Sequence, residues 1–533
     1  MQLSRRFTIL TLILITVNGT IGSAWLFAPL YAARIAGTAA FVAWILAGLV
    51  TILIALTFAE LSAFLPIAGG SARFPQLTHG SFTNFIMTWL TWLSCVTMPP
   101  IEVQATLQYA ATYFPSLSHV INGTHELTYF GLLWAVVLML FLSLVNVGSF
   151  KGLIRFNAVL FTFKIAVIMI AIYMIIHTQF NSANFSNMPA QFTAMGWPAV
   201  FSALASGGII FAFTGFKHGV ELAGETKNPS RTVPIAIIAS ILVCLALYIG
   251  LQVAFIGALD GSMIKNGWHN LSFANDTGPL VGIAGILGLA WLVKLLYVDA
   301  AVSPLGAGFI YATSTARIVY GMSKNGSFPS LFSRLNKQGF PYWAIALNFA
   351  LGIFLFLPFP GWQQMVDFLV SAAVIAYAVG PIALLCLRRQ LPNAKRPFKL
   401  WMANILCTFA FYCCNMMNYW IGWATISKLG IAISVGFVYL IYRYYVLGKG
   451  EKNRFGIRAA LWVVPYLYGL VLISYLGSFG GKGVIPFGWD FLVVAIFSLA
   501  ILWLALATRL TNVDEQYATY VREQAAVEKL SLS

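Results

Sequence analysis

Apolar runs of about 20 residues follow one another along this chain, separated by short polar breaks, with neither the alternation of strands nor the narrow stripe of surface helices. The pattern predicts fourteen membrane-spanning helices: spans 1–14 at 7–33, 37–64, 82–113, 128–147, 155–176, 197–222, 233–257, 279–322, 341–358, 363–387, 401–423, 425–446, 458–477 and 488–508. The expected fold is therefore all-α and integral to a membrane. The polar residues after 508 predict a short cytoplasmic helix at most.

Two spans carry defects in their apolar interiors. Span 1 contains TVNGTIGSAWLFAP, Thr16 to Pro29, with Gly19, Gly22 and Ser23 near its middle. Span 6 contains FAFTGFKHGVELAGE, Phe211 to Glu225, with Thr214, Gly215 and Gly219 inside it. A glycine inside a helix costs about 1 kcal/mol relative to alanine, yet lets the backbone unwind and present bare N–H and C=O groups. Small residues also serve close helix packing. The two defects open successive blocks of five helices, the arrangement of transporters built from inverted repeats around a central site. The predicted units are 7–176 and 197–389 as repeats one and two, then 401–446, 458–508 and a cytoplasmic tail at 509–533.

Composition agrees with a membrane protein: 60% of the 533 residues are hydrophobic and 9% charged. A soluble domain of this size needs a larger charged shell. The net charge of +16 is a matter of topology. With the N-terminus inside, 24 of the 31 Lys and Arg residues fall in cytoplasmic segments, four in outer ones and three within spans. This places both termini in the cytoplasm and leaves no nucleic-acid footprint. The six cysteines lie in apolar spans without metal-ligand spacing and read as packing residues. The N-terminal MQLSRRF is followed by too long an apolar run for a cleaved signal.

Several motifs in order resemble the amino acid–polyamine–organocation (APC) superfamily of permeases over about residues 7–446. They are GTIGSAWLFAP in span 1, AELSAFLPIAGGSARFPQLTHG after span 2, ETKNPSRTVPIAI after span 6, DAAVSPLGAGFIYATSTARIVYGMSKNG in span 8, and LPN with RPFK after span 10. Ala24 replaces the usual third small residue, and Lys217 stands where many members have Glu. With MPPIEVQATLQYA in span 3, the chain is most similar to the aspartate–proton symporter branch. The resemblance implies a LeuT-like 5+5 inverted-repeat core with extra C-terminal helices. It also implies that a substrate α-carboxylate meets the backbone at Ile21, Gly22, Ser23 and Ala24, that the α-ammonium meets carbonyls at Phe213 and Thr214, and that Phe216 lies over the substrate as an aromatic gate. Half-helix N-termini favour anions and freed carbonyls favour cations, so the local chemistry agrees.

Ionisable groups at membrane depth are functional candidates. Lys164 lies near the middle of span 5, where the resemblance implies a proton-coupling lysine that holds carbonyls of spans 1 and 8, with Ser303 as its neighbour. The alternative is a lysine snorkelling to the interface, but Arg155 is nine residues away, about 14 Å at 1.5 Å per residue. Glu102 follows Pro99 and Pro100, which should kink span 3. Glu102 and Lys217 would pair across a cavity, or Lys217 would meet an acidic substrate while Glu102 shuttles a proton; a structural ion pair is the third option. His218 would join a relay or be merely hydrogen-bonded. Lys294, Asp299 and Asp367 carry no assigned role. Glu225, Lys227, Arg231, Arg317 and Lys324 would form an inner gate or simply be solvated.

The expected function is a secondary active amino acid transporter of the cell membrane, an amino acid–proton symporter working by alternating access. Acidic amino acids are the first expected substrates and neutral ones the second, with an exchanger of the same fold as the alternative. No cofactor or metal is expected, and the partners are the amino acid, the proton and the bilayer. A channel or membrane enzyme is disfavoured: H-E-x-x-H and G-x-S-x-G are absent, as are filter-like repeats.

Overall fold

The computed structural model describes residues 7–66, 70–121, 124–145, 151–186, 188–273, 278–324, 326–336, 339–446 and 456–511, with Val513 and Tyr517. Apart from Val513 and Tyr517, the helix considered for the polar tail lies outside the described residues, as do Arg5, Arg6, Lys337 and the three basic residues between 447 and 455.

The chain is mostly helical. In order come α1 (Ile9–Thr20), α2 (Ala24–Ala36), α3 (Ala40–Phe64), α4 (Gly70–Ala110), α5 (Tyr129–Val145), α6 (Lys151–Thr178), α7 (Ala183–Ser186), α8 (Met188–Ser206), α9 (Lys217–Glu221), α10 (Pro229–Ala258), α11 (Gly261–Ile264), α12 (Pro279–Ile286), α13 (Ala290–Lys324), α14 (Tyr342–Leu355), α15 (Trp362–Gln390), α16 (Ala403–Ile421), α17 (Trp423–Val446), α18 (Val463–Leu476) and α19 (Trp489–Thr508). Each stretch expected to cross the membrane contains helix. By length and composition, eight helices among the described residues can cross a membrane, or nine if the bent pair in span 6 counts as one crossing.

Several expectations are corrected. Span 8 is not continuous from 279: α12 ends at Ile286, and Gly288, at φ +72°, turns the chain before α13. Helix α4 begins before the expected residue 82 and breaks at Gly80, φ +84°. The chain is not purely helical either. An antiparallel hairpin, β1 (Ser118–Ile121) with β2 (Thr124–Leu127), pairs Ser118 with Leu127 between α4 and α5.

Burial sorts the helices. The apolar window of α15 is 100% buried, whereas those of α6 and α19 are 33% buried. On α19, Leu492, Ile496, Leu499 and Trp503 form an exposed stripe at helical spacing, a face suited to lipid. Inside, polar groups knit the C-terminal helices together: Asn415 donates to Ser498 Oγ at 2.8 Å and accepts from the Tyr466 hydroxyl at 3.0 Å. Trp420 of α16 stacks on Phe201 of α8 at 4.3 Å. Between α3 and α15, buried Glu60 receives Arg388 through two bonds of 2.9 and 2.6 Å, the Leu400 N–H at 2.6 Å, and Arg396 at 3.3 Å. The six cysteines are free and buried.

Candidate functional site: two helix breaks and the groups around them

Span 1 is broken. α1 stops at Thr20, Ile21 turns to extended ψ of 93°, and α2 starts at Ala24. The first N–H groups of a helix lack intrahelical partners, and Ser23 makes no side-chain cap for α2. A carboxylate from α4 takes that place: Glu102 Oε2 accepts from the Ser23 N–H at 2.8 Å. Its other oxygen lies so close to Gly22 that a Cβ there would collide with it. On the other side of the break, the Lys164 ammonium donates to the Ile21 carbonyl at 2.9 Å. The Ser23 hydroxyl accepts from the Trp362 indole at 2.9 Å. Phe27, Tyr31 and Phe211 gather around Trp362 at 5.0, 5.6 and 5.8 Å.

Span 6 is broken as well, but earlier than expected. α8 ends at Ser206, Gly208 adopts φ +79°, and a 3₁₀ helix runs over Phe211–Phe216 before α9. The two segments are bent by 45°. Thr214 and Gly215 thus lie in the narrow 3₁₀ stretch, not at the break. Gly215 instead allows the spans to touch: a Cβ there would collide with the Thr20 backbone. The two interrupted spans therefore meet at their weakened segments.

The expected site residues separate into groups. Ile21, Gly22, Ser23 and Ala24 stand together at the first break, with Glu102 and Lys164 bonded to it. The Thr214 carbonyl is in the second broken span, where it accepts from the Tyr377 hydroxyl at 3.2 Å. Phe213 points to Trp44 and Tyr248 at 5.9 and 5.7 Å. Phe216 packs against Phe58 and Tyr377 at 6.2 and 5.0 Å. The aromatic residue bonded to the first break is Trp362, which nothing in the sequence pattern singled out.

Beside the breaks lies a small cavity of about 20 Å³, lined by Ser94, Cys95 and Met98 of α4, Thr214 to Glu221 in part, Tyr311 and Ser314 of α13, and Leu369, Ala373 and Tyr377 of α15. Lys217 and His218 both line it. The Lys217 ammonium is buried and has no hydrogen-bond partner among the described residues, though it stands over the Tyr377 ring at 5.6 Å. His218 Nε2 is likewise without one, and its ring meets Tyr311 at 4.9 Å. The Glu102–Lys217 pair is not formed: Glu102 is drawn to the partial positive charge at the start of α2.

Lys164 also has an unforeseen neighbour. Asp299 and Glu102 both act electrostatically on it. Ser303, expected beside Lys164, donates instead to Asp299 Oδ1 at 2.8 Å. An ammonium within electrostatic reach of two carboxylates thus stands at the first break. Asp299 was visible as an intramembrane acid, but its relation to Lys164 spans two helices and leaves no mark in local spacing.

At the end that carries the N-terminus, Phe7 forms a short parallel bridge with the loop after α9. Its N–H donates to the Glu225 carbonyl at 3.1 Å, and its carbonyl accepts from the Lys227 N–H at 2.9 Å. This backbone latch stands where charged side chains were expected to close a gate. Arg317 acts electrostatically on Glu225, whose carboxyl burial pushes above its usual range while Arg317 pulls it back. Lys324 lies over Tyr320 of its own helix at 5.8 Å.

These features lie within a match to the amino acid permease family over residues 7–447. The chain belongs to the amino acid permease family. Membership makes it a multi-pass membrane transporter of amino acids, not an enzyme. The permease is 37% identical over 508 residues to the glutamate/serine transporter AimA of Bacillus subtilis (strain 168), covering 93% of each chain. It is 35% identical over 517 residues to the aspartate-proton symporter of the same organism, covering 96% of this chain and 98% of that one. A methylthioribose transporter, also from B. subtilis, is 27% identical over 457 residues, covering 83% and 94% of the two chains.

Proposed function

We propose that this permease is a proton-coupled symporter of acidic amino acids working by alternating access, with small neutral amino acids as its second substrate class. The observation that carries the acidic preference is the buried Lys217 ammonium in the pocket beside the breaks, without a hydrogen-bond partner among the described residues. Glu221, lining the same pocket, acts electrostatically on Lys217, but a buried ammonium without a hydrogen bond is still costly, and a substrate side-chain carboxylate would supply that bond. The names of two relatives above 30% identity, a glutamate/serine transporter and an aspartate-proton symporter, support the same reading.

The substrate α-carboxylate would take the N–H groups at Gly22, Ser23 and Ala24, and its ammonium the carbonyls of Phe213 and Thr214. Lys164, bonded to Ile21 and within electrostatic reach of Asp299, would couple the proton: deprotonation would release the carbonyl and loosen the break. Trp362, rather than Phe216, would cover the site. The surrounding frame would be the 5+5 inverted repeat, 7–176 and 197–389, followed by 401–446 and 458–508, with fourteen crossings and both termini, including the 509–533 tail, in the cytoplasm.

The deciding experiment is a competition panel in proteoliposomes with an inward proton gradient and labelled L-glutamate. Aspartate and glutamate should compete most strongly, with serine weaker. Competition by small neutral amino acids alone would refute the role of Lys217.

A further inference from the structure

We infer that Glu102 is a tethered stand-in for the substrate's own carboxylate, and that the two occupy the start of α2 by turns. The inference rests on the transport reading above and addresses whether the carrier can cross the membrane unloaded.

Glu102 is fully buried on α4, and one carboxylate oxygen accepts from the Ser23 N–H at 2.8 Å while the other crowds Gly22. A helix N-terminus with bare N–H groups receives an anion of this kind. The α-carboxylate of an amino acid is the same chemical group and needs the same donors. Two carboxylates cannot share them, because like charges in contact repel and the donors are few. Substrate therefore displaces Glu102, and its departure lets Glu102 return.

Without either carboxylate, the break would leave N–H groups unsatisfied in the protein interior, where an unpaired donor is costly. Glu102 supplies the missing acceptor when no amino acid is bound. The unloaded carrier can then pass through its closed form, which net symport requires and obligatory exchange does not. Lys164 on Ile21 holds the carbonyl side of the same break, so both faces of the interruption stay satisfied during the return.

The test compares wild type, Glu102→Gln and Glu102→Asp in proteoliposomes, with L-glutamate, L-aspartate and L-serine as probes. Net uptake into vesicles holding no amino acid requires the unloaded return; counterflow into preloaded vesicles does not. In Glu102→Gln, the ratio of net uptake to counterflow should fall tenfold or more, and the half-saturating concentration in counterflow should drop because an internal competitor is weakened. Glu102→Asp keeps the charge but is one methylene shorter, so it should shift the ratio in the same direction. An equal loss of both activities overturns the inference, as does wild-type net uptake by Glu102→Asp beside a defective Glu102→Gln, which would make the charge and not the cap decisive. Absence of counterflow in wild type with all three probes would instead overturn the transport reading, and the inference with it.

Discussion

At the scale of single residues, two buried lysines differ in what they touch. Lys217 faces the pocket with its ammonium unsatisfied among the described residues, whereas Lys164 is bonded to the first break. Replacing Lys217 by Gln should raise the half-saturating concentration for L-glutamate at least tenfold more than that for L-serine, about 1.4 kcal/mol of discrimination. Transport kinetics with both amino acids would check it; parallel changes would make the lysine structural. Replacing Lys164 by Ala should abolish the dependence of accumulation on an inward proton gradient, measured by uptake with and without a protonophore. Unaltered proton-driven accumulation would refute the coupling role. Both lysines stood out in the sequence because charge is rare in apolar spans. Trp362 and Asp299 did not stand out as partners, since the first is an ordinary aromatic residue and the second meets its counterpart only through folding.

At the scale of elements, the interruptions were legible because glycine and serine dilute an apolar run. The first lay where the glycines predict it. The second began at Gly207 and Gly208, upstream of Thr214 and Gly215, because a 3₁₀ helix absorbs Phe211–Phe216. Sequence pattern does not separate an unwound turn from a tighter helix, nor did it show the hairpin between α4 and α5. The latch at Phe7 was also hidden, for it uses backbone groups that every residue carries. Proline lacks the N–H that Phe7 gives to Glu225. Phe7→Pro should therefore weaken this latch and raise the alkylation rate of Cys95, which lines the pocket, several-fold. Mass spectrometry of reagent-treated membranes would measure it, and an unchanged rate would show that the latch does not limit access.

At the scale of the whole molecule, the uneven distribution of basic residues is the strongest topological signal in the sequence. Reporter tags at residues 1 and 533 should both be protected in intact cells and accessible in inverted vesicles; a tag accessible from outside would overturn the assignment. The boundaries of the expected crossings shift at Gly80 and Gly288, because these glycines bend the chain without interrupting its hydrophobicity. Glu60 has a different consequence at this scale. Its carboxylate grips Arg388, Arg396 and Leu400 together, so the C-terminal ends of α3 and α15 and the segment after α15 are tied at one point. Any rocking between states must carry these pieces jointly, and they supply a frame of reference for superposing one conformation on another.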